Sequence, residues 1–426
     1  MRLFGFSFIL LISIWLGSVD SIHAQDDIGK KVQSLVSELN TDDRDEIDKA
    51  IRKLVALGED CLDPLEEAFG KAKPVVQARI LLARSKIEQS IAEQKVKASK
   101  VTLEGDMTFD EAIAQIQKQT KTRFAYEPID RERLELSLKD VTLWEAMDEI
   151  LDQSLMQISP YGGEGGSIGL VPRSEEVDDF VGRTAYSGAF RVIVSRIDSS
   201  KDYNNPRNEG TTIKLDINWE SHVKPIAIEQ SLTELKVRDE FKDNLAVKLP
   251  EGSASPVIGD SVQPDIPNSE MYIPLELVDR KIGKIDTLEG TIRVLLPGRI
   301  ETFDFGTVGK IKKNQTIQRS HAKVSFIGSE KNDDLYTLML SVEFDEKKNP
   351  LEVHQGWILE NEIFLKKADG TKIQALGVEQ AMMKQNQMVL TYLFEGDPKE
   401  HQLIYKTPAQ LIKIPVKYKL RNIILP

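Results

Sequence analysis

The sequence predicts a multidomain chain with an N-terminal α-helical unit, a small α+β module and two C-terminal β-sandwich-like domains. Three observations lead to this fold class. Apolar residues recur at helical spacing over residues 25–97. A β-α-β pattern then occurs twice within residues 98–175, and short alternating strands fill residues 176–426. A chain of 426 residues is long enough for several domains of about 100–200 residues each.

Residues 1–24 have the pattern of a secretory signal peptide. Arg2 supplies the positive start, residues 3–16 are apolar, and the small residue Ala24 marks a cleavage site. The apolar run is shorter than the roughly 20 residues that a membrane span needs, so cleavage is favoured over an uncleaved anchor. We therefore expect secretion across the inner membrane, no transmembrane segment after cleavage, and a periplasmic or outer-envelope location.

Charge and cysteine content narrow the functional classes. The net charge of −12 disfavours nucleic-acid binding, which depends on Lys and Arg neutralising phosphates. Cys61 is the only cysteine, so an intrachain disulfide cannot form and ordinary hydrophobic cores are expected. We expect Cys61 to be buried in a helical pair rather than to act as a lipid-bearing or redox thiol.

Residues 25–97 are predicted to form four helices. Gly58 is suited to end the second helix, and Pro74 lies in the first turn of the fourth. The pattern over residues 44–65 resembles HEAT-like helical repeats. Because a solenoid normally needs three or more repeats, a plain helical bundle is the alternative. The polar residues 90–100 are the predicted joint to the next domain.

Two matching halves make up residues 98–175. The capping-box segment 108–112 recurs 34 residues later as 142–146, each beginning with Thr and carrying Glu three places on. An alternating strand precedes each helix, at 101–103 and at 134–138, and another follows it. We therefore expect two consecutive β-α-β units. Together they form a small scaffold of a kind used more often for contacts with partners than for catalysis.

The module resembles the secretin and TonB short N-terminal domain. The resemblance covers the whole module and lies in segments 107–113, 124–126, 134–143 and 145–151. It implies an envelope domain found at the periplasmic end of outer-membrane secretins and signalling receptors, where it contacts partners. No long barrel-forming or pore region follows in this chain, so channel and receptor activity are not implied.

The β-rich remainder is predicted to be two sandwich-like domains, at 176–320 and 321–426. The alternating segment 213–219 returns 125 residues later as 338–344, and residues 294–297 resemble residues 412–415. We interpret these matches as a duplication of one short-strand unit. Three further segments are predicted as an insertion (201–210), an exposed loop (250–267) and a linker between the copies (307–320).

No catalytic or metal-binding constellation is recognisable. Asp148, Glu149 and Asp152 are expected on the solvated side of the second module helix. The histidines outside the signal peptide lack metal-ligand spacing, and the glycine-rich run 162–166 lacks the Lys-Ser/Thr of a phosphate loop. Ser167 has the Gly-x-Ser-x-Gly spacing, with Gly165 and Gly169, but strand residues follow it instead of the helix that a nucleophile elbow needs. We therefore expect a protein that is not an enzyme and uses no cofactor or metal.

The candidate partner-binding residues are Arg123, Tyr126 and Trp357. Arg123 and Tyr126 mark a strand edge of the module, and such an edge can accept a partner strand. Trp144 and Trp219 are expected in cores, whereas Trp357 is the candidate for an exposed aromatic contact.

The sequence therefore predicts an exported, non-catalytic protein–protein interaction or scaffold protein of the bacterial cell envelope, with unidentified envelope protein partners. The alternative is a carbohydrate- or cell-wall-binding protein that uses the sandwich domains, with exposed aromatics at Trp357 and Tyr392. A third hypothesis is an enzyme whose site is assembled between domains, which requires a deep polar pocket.

Overall fold

A computed structural model of the chain shows a mostly β, multidomain protein with an N-terminal helical region and several sheets. The structure describes residues 17–128, 133–159, 163–174, 179–180, 182–205, 208–250, 252, 256–263, 266–332, 335–345, 356–384 and 386–426. Two predictions therefore concern residues outside the described ones. These are residues 1–16, which are most of the predicted signal peptide, and His354. The chain divides into two compact units, Met1–Ile91 and Ala92–Pro426.

The first unit is helical, as the sequence predicts. Its helices are α1 (Gly17–Glu38), α2 (Arg44–Leu57), α3 (Leu62–Lys71) and α4 (Pro74–Lys95), the last of which crosses the predicted joint. The Asp43 carboxylate caps α2, and Gly58, at φ 68°, ends it. Cys61 is fully buried, as expected, and burial raises the pKa of its thiol to about 11.

A buried ion network joins two of these helices. The Arg84 side chain is 3% exposed, and its Nη1 lies 2.6 Å from Glu66 Oε2. Its Nε lies 3.2 Å from Glu88 Oε1, one turn further along α4. Because the guanidinium has a carboxylate on each helix, the charge is compensated where water cannot reach it.

The second unit begins with the α+β module. Its elements are β1 (Lys100–Met107), α5 (Phe109–Thr120), β2 (Phe124–Ala125), β3 (Leu134–Thr142), α6 (Leu143–Ser154), β4 (Met156–Ile158) and β5 (Ile168–Pro172). Both predicted capping boxes are present, at Thr108 with Glu111 and at Thr142 with Glu145. β1 pairs antiparallel with β3, while β5 lies between β2, in parallel, and β4, antiparallel. The elements thus follow the order β-α-β twice, as β1-α5-β2 and β3-α6-β4.

Strands account for most of the remaining chain. They are β6 (Thr184–Ser187), β7 (Phe190–Ser200), β8 (Gly210–Trp219), β9 (Ala227–Ser231), β10 (Lys236–Asp239), β11 (Val257–Ser261), β12 (Asn268–Leu275), β13 (Lys284–Pro297), β14 (Ile300–Thr307), β15 (Gln315–Arg319), β16 (Ala322–Asn332), β17 (Leu335–Phe344), β18 (Ile363–Lys366), β19 (Lys372–Gln374), β20 (Gly377–Lys384), β21 (Gln387–Glu395), β22 (Gln402–Pro408) and β23 (Leu411–Ile424).

These strands form two sheet pairs, each around its own apolar core. In the first sheet pair, sheet β12-β8-β7-β6 faces sheet β10-β13-β9-β11, and β23 also pairs with β13. In the second sheet pair, sheet β14-β22-β18-β19 faces sheet β15-β16-β17-β21-β20. The alternating residues of β8 and β17 point into these two cores, because successive strand residues face opposite sides of a sheet.

The strand pairing does not separate the two predicted β-sandwich-like domains at residue 320. β14 and β15 belong to the second sheet pair, so the predicted linker 307–320 contains a strand of that pair. β23 returns to the first sheet pair and runs along β13, with Val294 opposite Ile414. The similarity of these two strands is therefore that of neighbours sharing one core, not that of equivalent strands in two copies.

The α+β module packs on the outer face of the first sheet pair. Ile193 of β7 belongs to the module's apolar core, although Val192 and Phe190 on the same strand face the core between the sheets. Trp144 at the start of α6 is fully buried, and its Nε1 donates to Ala189 O at 3.0 Å. Trp144 is thus a core residue, as expected, and it also fixes the module to the first sheet pair.

Candidate functional site

The free edges of the module's main strands are covered by glutamine side chains. Gln119 of α5 accepts from the N–H of Thr102 on β1 at 3.0 Å and donates to the same residue's C=O at 3.1 Å. Gln153 of α6 makes the same two bonds to Glu135 on β3, both at 3.1 Å. The two glutamines are 34 residues apart, the spacing of the capping boxes, so this feature is part of the repeat. Each side-chain amide occupies the place that a partner strand needs.

Arg123 and Tyr126 flank the short strand β2. The carbonyl of Arg123 accepts from Ile168 N at 2.8 Å, and its Nη2 donates to Gly165 O at 2.6 Å. The neighbouring N–H, that of Phe124, is bound by Gln117 Oε1 at 3.0 Å. The structure therefore brings Arg123 to a short strand edge whose hydrogen-bonding groups are partly occupied.

Tyr126 lies just beyond β2 and is half-buried. Its ring meets Phe109 edge-on, with centroids 5.1 Å apart. Burial, with a hydrogen bond to Asp110, raises the pKa of the Tyr126 phenol to about 12. The phenol is therefore neutral at pH 7 and can act as a polar contact on this side of the module, so Tyr126 stays a predicted partner-binding residue.

Trp357 is not an exposed aromatic contact. It is 8% exposed and packs against Phe344 in the core of the second sheet pair, with ring centroids 6.0 Å apart. Tyr392, the other aromatic that carbohydrate binding was expected to use, is 1% exposed. The exposed-aromatic prediction is wrong at both positions, because each residue occupies an inward-facing place that a single strand pattern does not identify.

One face of Trp357 nevertheless lines an apolar cavity of about 560 Å³ between the two sheet pairs. The lining is dominated by aromatic, aliphatic and proline side chains from both pairs: Trp219, Pro225, Ile226, Pro297, Leu359 and Pro408. The cavity is large enough for a small molecule, and its walls offer chiefly dispersion contacts.

The strand edge with the most exposed apolar side chains is β20, in the second sheet pair. Within the described part of the chain it pairs only with β21, so its other edge has no strand neighbour there. Met382 and Met383 are 41% and 44% exposed, and Leu376 immediately before the strand is 60% exposed. A bulge between Gln380 and Met382 interrupts its register. Flexible methionine side chains on an open edge are suited to contact with varied apolar partners.

A buried charge network lies where the module meets the first sheet pair. Asp148 of α6 is completely buried, and both its carboxylate oxygens accept from Arg191 Nε, at 2.8 and 3.0 Å. Tyr186 donates its hydroxyl to the same carboxylate at 2.7 Å, and burial together with this negative charge raises the pKa of Tyr186. The expectation that Asp148 lies on a solvated helix face is therefore wrong.

A second arginine extends this network. The side chain of Arg173 is fully buried, and its Nη1 lies 3.0 Å from Asp152 Oδ1. The Phe180 ring lies between the two arginines, with its centroid 4.6 Å from the Arg173 guanidinium carbon and 4.9 Å from that of Arg191. Asp152 is thus an ion-pair partner rather than a freely solvated carboxylate.

Arg191 also begins a polar row across the outer face of its sheet. The row has one residue on each of the four neighbouring strands β6, β7, β8 and β12, and each residue lies opposite the next. These residues are Tyr186, Arg191, Asn218 and Asn268. Arg191 Nη1 donates to Asn218 Oδ1 at 3.1 Å. Three members of this outer polar row, Arg191, Asn218 and Asn268, line a cavity of about 250 Å³ together with residues of β4.

A buried glutamate fixes the chain that leads into the module. Glu220, fully buried at the end of β8, accepts from the Ser99 N–H at 2.8 Å, and its other oxygen lies 3.5 Å from His222 Nδ1. His222 Nε2 lies 2.9 Å from Lys95 O. Burial raises the pKa of the Glu220 carboxyl.

The sequence carried a partial signal for the polar row. Lys214, Asp216 and Asn218 alternate with the apolar residues of β8, which places them together on one face. What it could not show is that Asp148 of α6 binds Arg191, which lies beside Asn218 on that face. Arg191, inside the apolar first half of β7, was the most informative residue that the sequence reasoning missed.

Other chemical possibilities find no support in the described residues. They contain no group of three or more His, Cys, Asp or Glu side chains arranged to hold a metal ion. The described part of the glycine-rich run forms a short turn at Glu164–Gly166. No helix in the part of the chain that the structure describes combines the length and apolar character needed to cross a membrane.

Comparisons with known proteins add no identification. Function must therefore be inferred from the residues and their geometry. A scan against models of known protein families finds no match, and a search of curated proteins finds no significantly similar sequence.

Proposed function

We propose that this chain is an exported, non-catalytic interaction or scaffold protein of the bacterial cell envelope. The observation that carries the proposal is the open edge of β20 with its exposed methionines. An extended segment of an envelope protein can pair with such an edge through main-chain hydrogen bonds, while side-chain contacts select the segment.

The contrast with the module supports this choice of edge. Gln119 and Gln153 cover β1 and β3, so strand addition there would first have to displace two side-chain amides. Among the described residues, no glutamine side chain covers the edge of β20 in this way. Proteins usually protect long edges because they invite aggregation. The bulge in β20 is one such protection, yet Met382 and Met383 stay exposed beside it, so we infer that a partner covers them.

The order of elements in the module supports its resemblance to the secretin and TonB short N-terminal domain, and with it an envelope location. In this proposal the two sheet pairs act as β-sandwich-like spacers, and Arg123 and Tyr126 offer a second contact surface on the module. The net charge of −12 favours a partner with basic segments.

The test is affinity capture from envelope extract with the tagged mature protein. The variant M382K/M383K places two charges on the β20 edge without touching either core. The matched control, Phe241→Lys, changes a 66% exposed apolar residue in a turn of the first sheet pair. We expect the wild type and the control to retain the same partners, and the double variant to lose them.

Two results would overturn the proposal. One is retention of an unchanged set of proteins by the double variant, and the other is failure of the wild type to retain any. The variants Arg123→Ala and Tyr126→Ala test the module surface in the same experiment, because a partner that depends on them but not on β20 assigns the interaction to the module.

A further inference from the structure

Two neighbouring cavities lie beside the loop that follows β8. The first is the apolar cavity of about 560 Å³ between the two sheet pairs. The second, which we call the basic cavity, has a volume of about 500 Å³ and lies between the module and the first sheet pair. Gly166, Ser221 and Lys224 line both of them, so the two cavities are adjacent. A single molecule that lies across these three residues can therefore contact both.

The apolar cavity has walls that suit an aliphatic chain. Its lining is chiefly aliphatic, aromatic and proline side chains, and several of these keep solvent-accessible surface: Val262, Ile266, Pro297, Ile300 and Leu359. Ile300 is 48% exposed, so it lies at the mouth of the cavity. Removing such apolar surface from water favours binding. A chain of about twelve carbons, each taking about the 30 Å³ of a water molecule, needs about 360 Å³ and fits this volume.

The basic cavity is lined by cationic side chains, in a protein whose net charge is −12. Lys121, Arg123 and Lys224 are exposed cations on its wall, and His222 adds an imidazole. None of the described residues that line it carries a carboxylate. Among the described side chains, no carboxylate pairs with Lys121 or with Arg123, whose Nη2 donates to Gly165 O instead. Cations grouped on one wall attract an anion.

The negative groups near the two cavities do not cancel this charge. Glu220 lies 3.5 Å from His222 Nδ1, but it is fully buried and accepts from the Ser99 N–H. Glu360 is the one carboxylate on the described wall of the apolar cavity. The carboxyl end of α5, at Thr120, has a partial charge of about −0.5, which is smaller than the full charge of each cation. The balance at the basic cavity is therefore positive.

We propose that the two cavities together bind an anionic amphiphile, a molecule with a negatively charged headgroup and an aliphatic chain of about twelve carbons. The chain lies in the apolar cavity, and the headgroup lies in the basic cavity next to Lys121 and Arg123. A free fatty acid and a single-chain phospholipid share this chemistry. The site includes no residue of β20, so it is independent of the strand pairing proposed for that edge.

The probes are dodecanoate and dodecyl phosphate, which carry different anionic headgroups on the same chain. Octanoate shortens the chain, and dodecyltrimethylammonium reverses the charge of the headgroup. Each probe is titrated, below its micelle-forming concentration, into the purified full chain. Binding is followed by calorimetry and by the fluorescence of Trp219 and Trp357, which line the apolar cavity.

Chain length and headgroup charge should both change the affinity. Each buried methylene tightens binding about fourfold, so octanoate should bind about a hundredfold more weakly than dodecanoate, or weaker still. The cationic probe should bind about tenfold more weakly than either anion. If dodecanoate binds more tightly than dodecyl phosphate, the source is a fatty acid, and the reverse order indicates a phospholipid.

Two variants with matched controls assign the binding to these cavities. Ile300→Lys places a cation at the mouth of the apolar cavity. Because a cation attracts the headgroup, a loss of about tenfold reports the apolar wall and not repulsion. Its control, Val257→Lys, changes a residue that is 46% exposed and lines neither cavity.

The second variant, Lys121→Gln, removes one cation from the basic cavity and should weaken dodecanoate binding about threefold. Its control is Lys118→Gln, on the same helix but outside both linings. All of these positions are exposed, so the variants are expected to fold.

Four outcomes contradict the proposal. If neither anionic probe binds the wild type, the cavities do not hold an amphiphile. If the cationic probe binds as tightly as dodecanoate, the basic cavity does not select the headgroup. If octanoate binds as tightly as dodecanoate, the chain does not lie in the apolar cavity. If Ile300→Lys and Lys121→Gln both bind as their controls do, the amphiphile is bound elsewhere. The variant M382K/M383K should bind dodecanoate as the wild type does, which separates this test from that of the β20 edge.

Discussion

The buried pair Asp148–Arg191 predicts a large and specific loss of stability when one partner is removed. Asp148 is completely buried and the Arg191 side chain is 3% exposed, so neither charge can turn to water when the other is lost. Breaking such a pair leaves an uncompensated buried charge, which costs about 3–5 kcal/mol. We therefore expect Arg191→Met to lower the unfolding free energy of the unit Ala92–Pro426 by that amount.

A matched surface pair on the same strand sets the scale for comparison. Arg196 and Asp198 form an ion pair at 2.7 Å, but their side chains are 69% and 53% exposed. Exposed pairs of this kind contribute about 0–1 kcal/mol. Arg196→Met should therefore leave stability nearly unchanged, although it removes the same chemical group from the same strand.

The assay is urea denaturation of the full chain, followed by tryptophan fluorescence. Trp144 and Trp219 are buried in the two cores next to the pair, so they report unfolding of this region. In the double variant D148N/R191M both charges are absent, and we expect it to be more stable than Arg191→Met alone. A loss below about 1 kcal/mol in Arg191→Met, the range of a surface pair, would refute the reasoning.

Three further predictions concern other features of the second unit. Replacing Gln119 and Gln153 together by Ala should cost about 1 kcal/mol per lost hydrogen bond and increase self-association in size-exclusion chromatography, whereas Lys118→Ala should do neither. A chain ending at Pro408 should lose hydrogen-exchange protection in the first sheet pair and keep it in the second; equal protection in both would contradict the role of β23. Burial raises the pKa of Glu220 above its ordinary 4.5. The contribution of Glu220 to the free energy of unfolding is therefore fully present below pH 4.5, and it is lost as the pH rises through the folded-state pKa. Glu220→Gln should therefore raise the melting temperature near pH 8 but not near pH 4, and a pH-independent effect would contradict this sign.

The sequence predicted best those features that depend on near neighbours. Both capping boxes require only Thr and Glu at a spacing of three, and Gly58 and Pro74 act through their own backbone. The alternation in β8 likewise follows from strand geometry alone. These local rules were enough to predict the helical unit, the repeated module and the β-rich remainder.

Features that depend on distant partners were not predictable in this way. The similarity of β13 and β23 indicated a common environment, but the pattern could not distinguish adjacent strands from equivalent ones. Asp148 appeared to belong to a polar helix face because Arg191 lies far along the chain. Trp357 appeared unconstrained because its neighbours in the core come from other strands.

The position of β23 has a consequence for how the chain is made. The second sheet pair is contiguous from Ile300 to Pro408, so it can fold as soon as those residues have emerged. The first sheet pair must wait for β23, and until then the long strand β13 lacks its main neighbour. A chaperone that shields β13 would therefore matter most in the interval between the synthesis of β13 and the synthesis of β23.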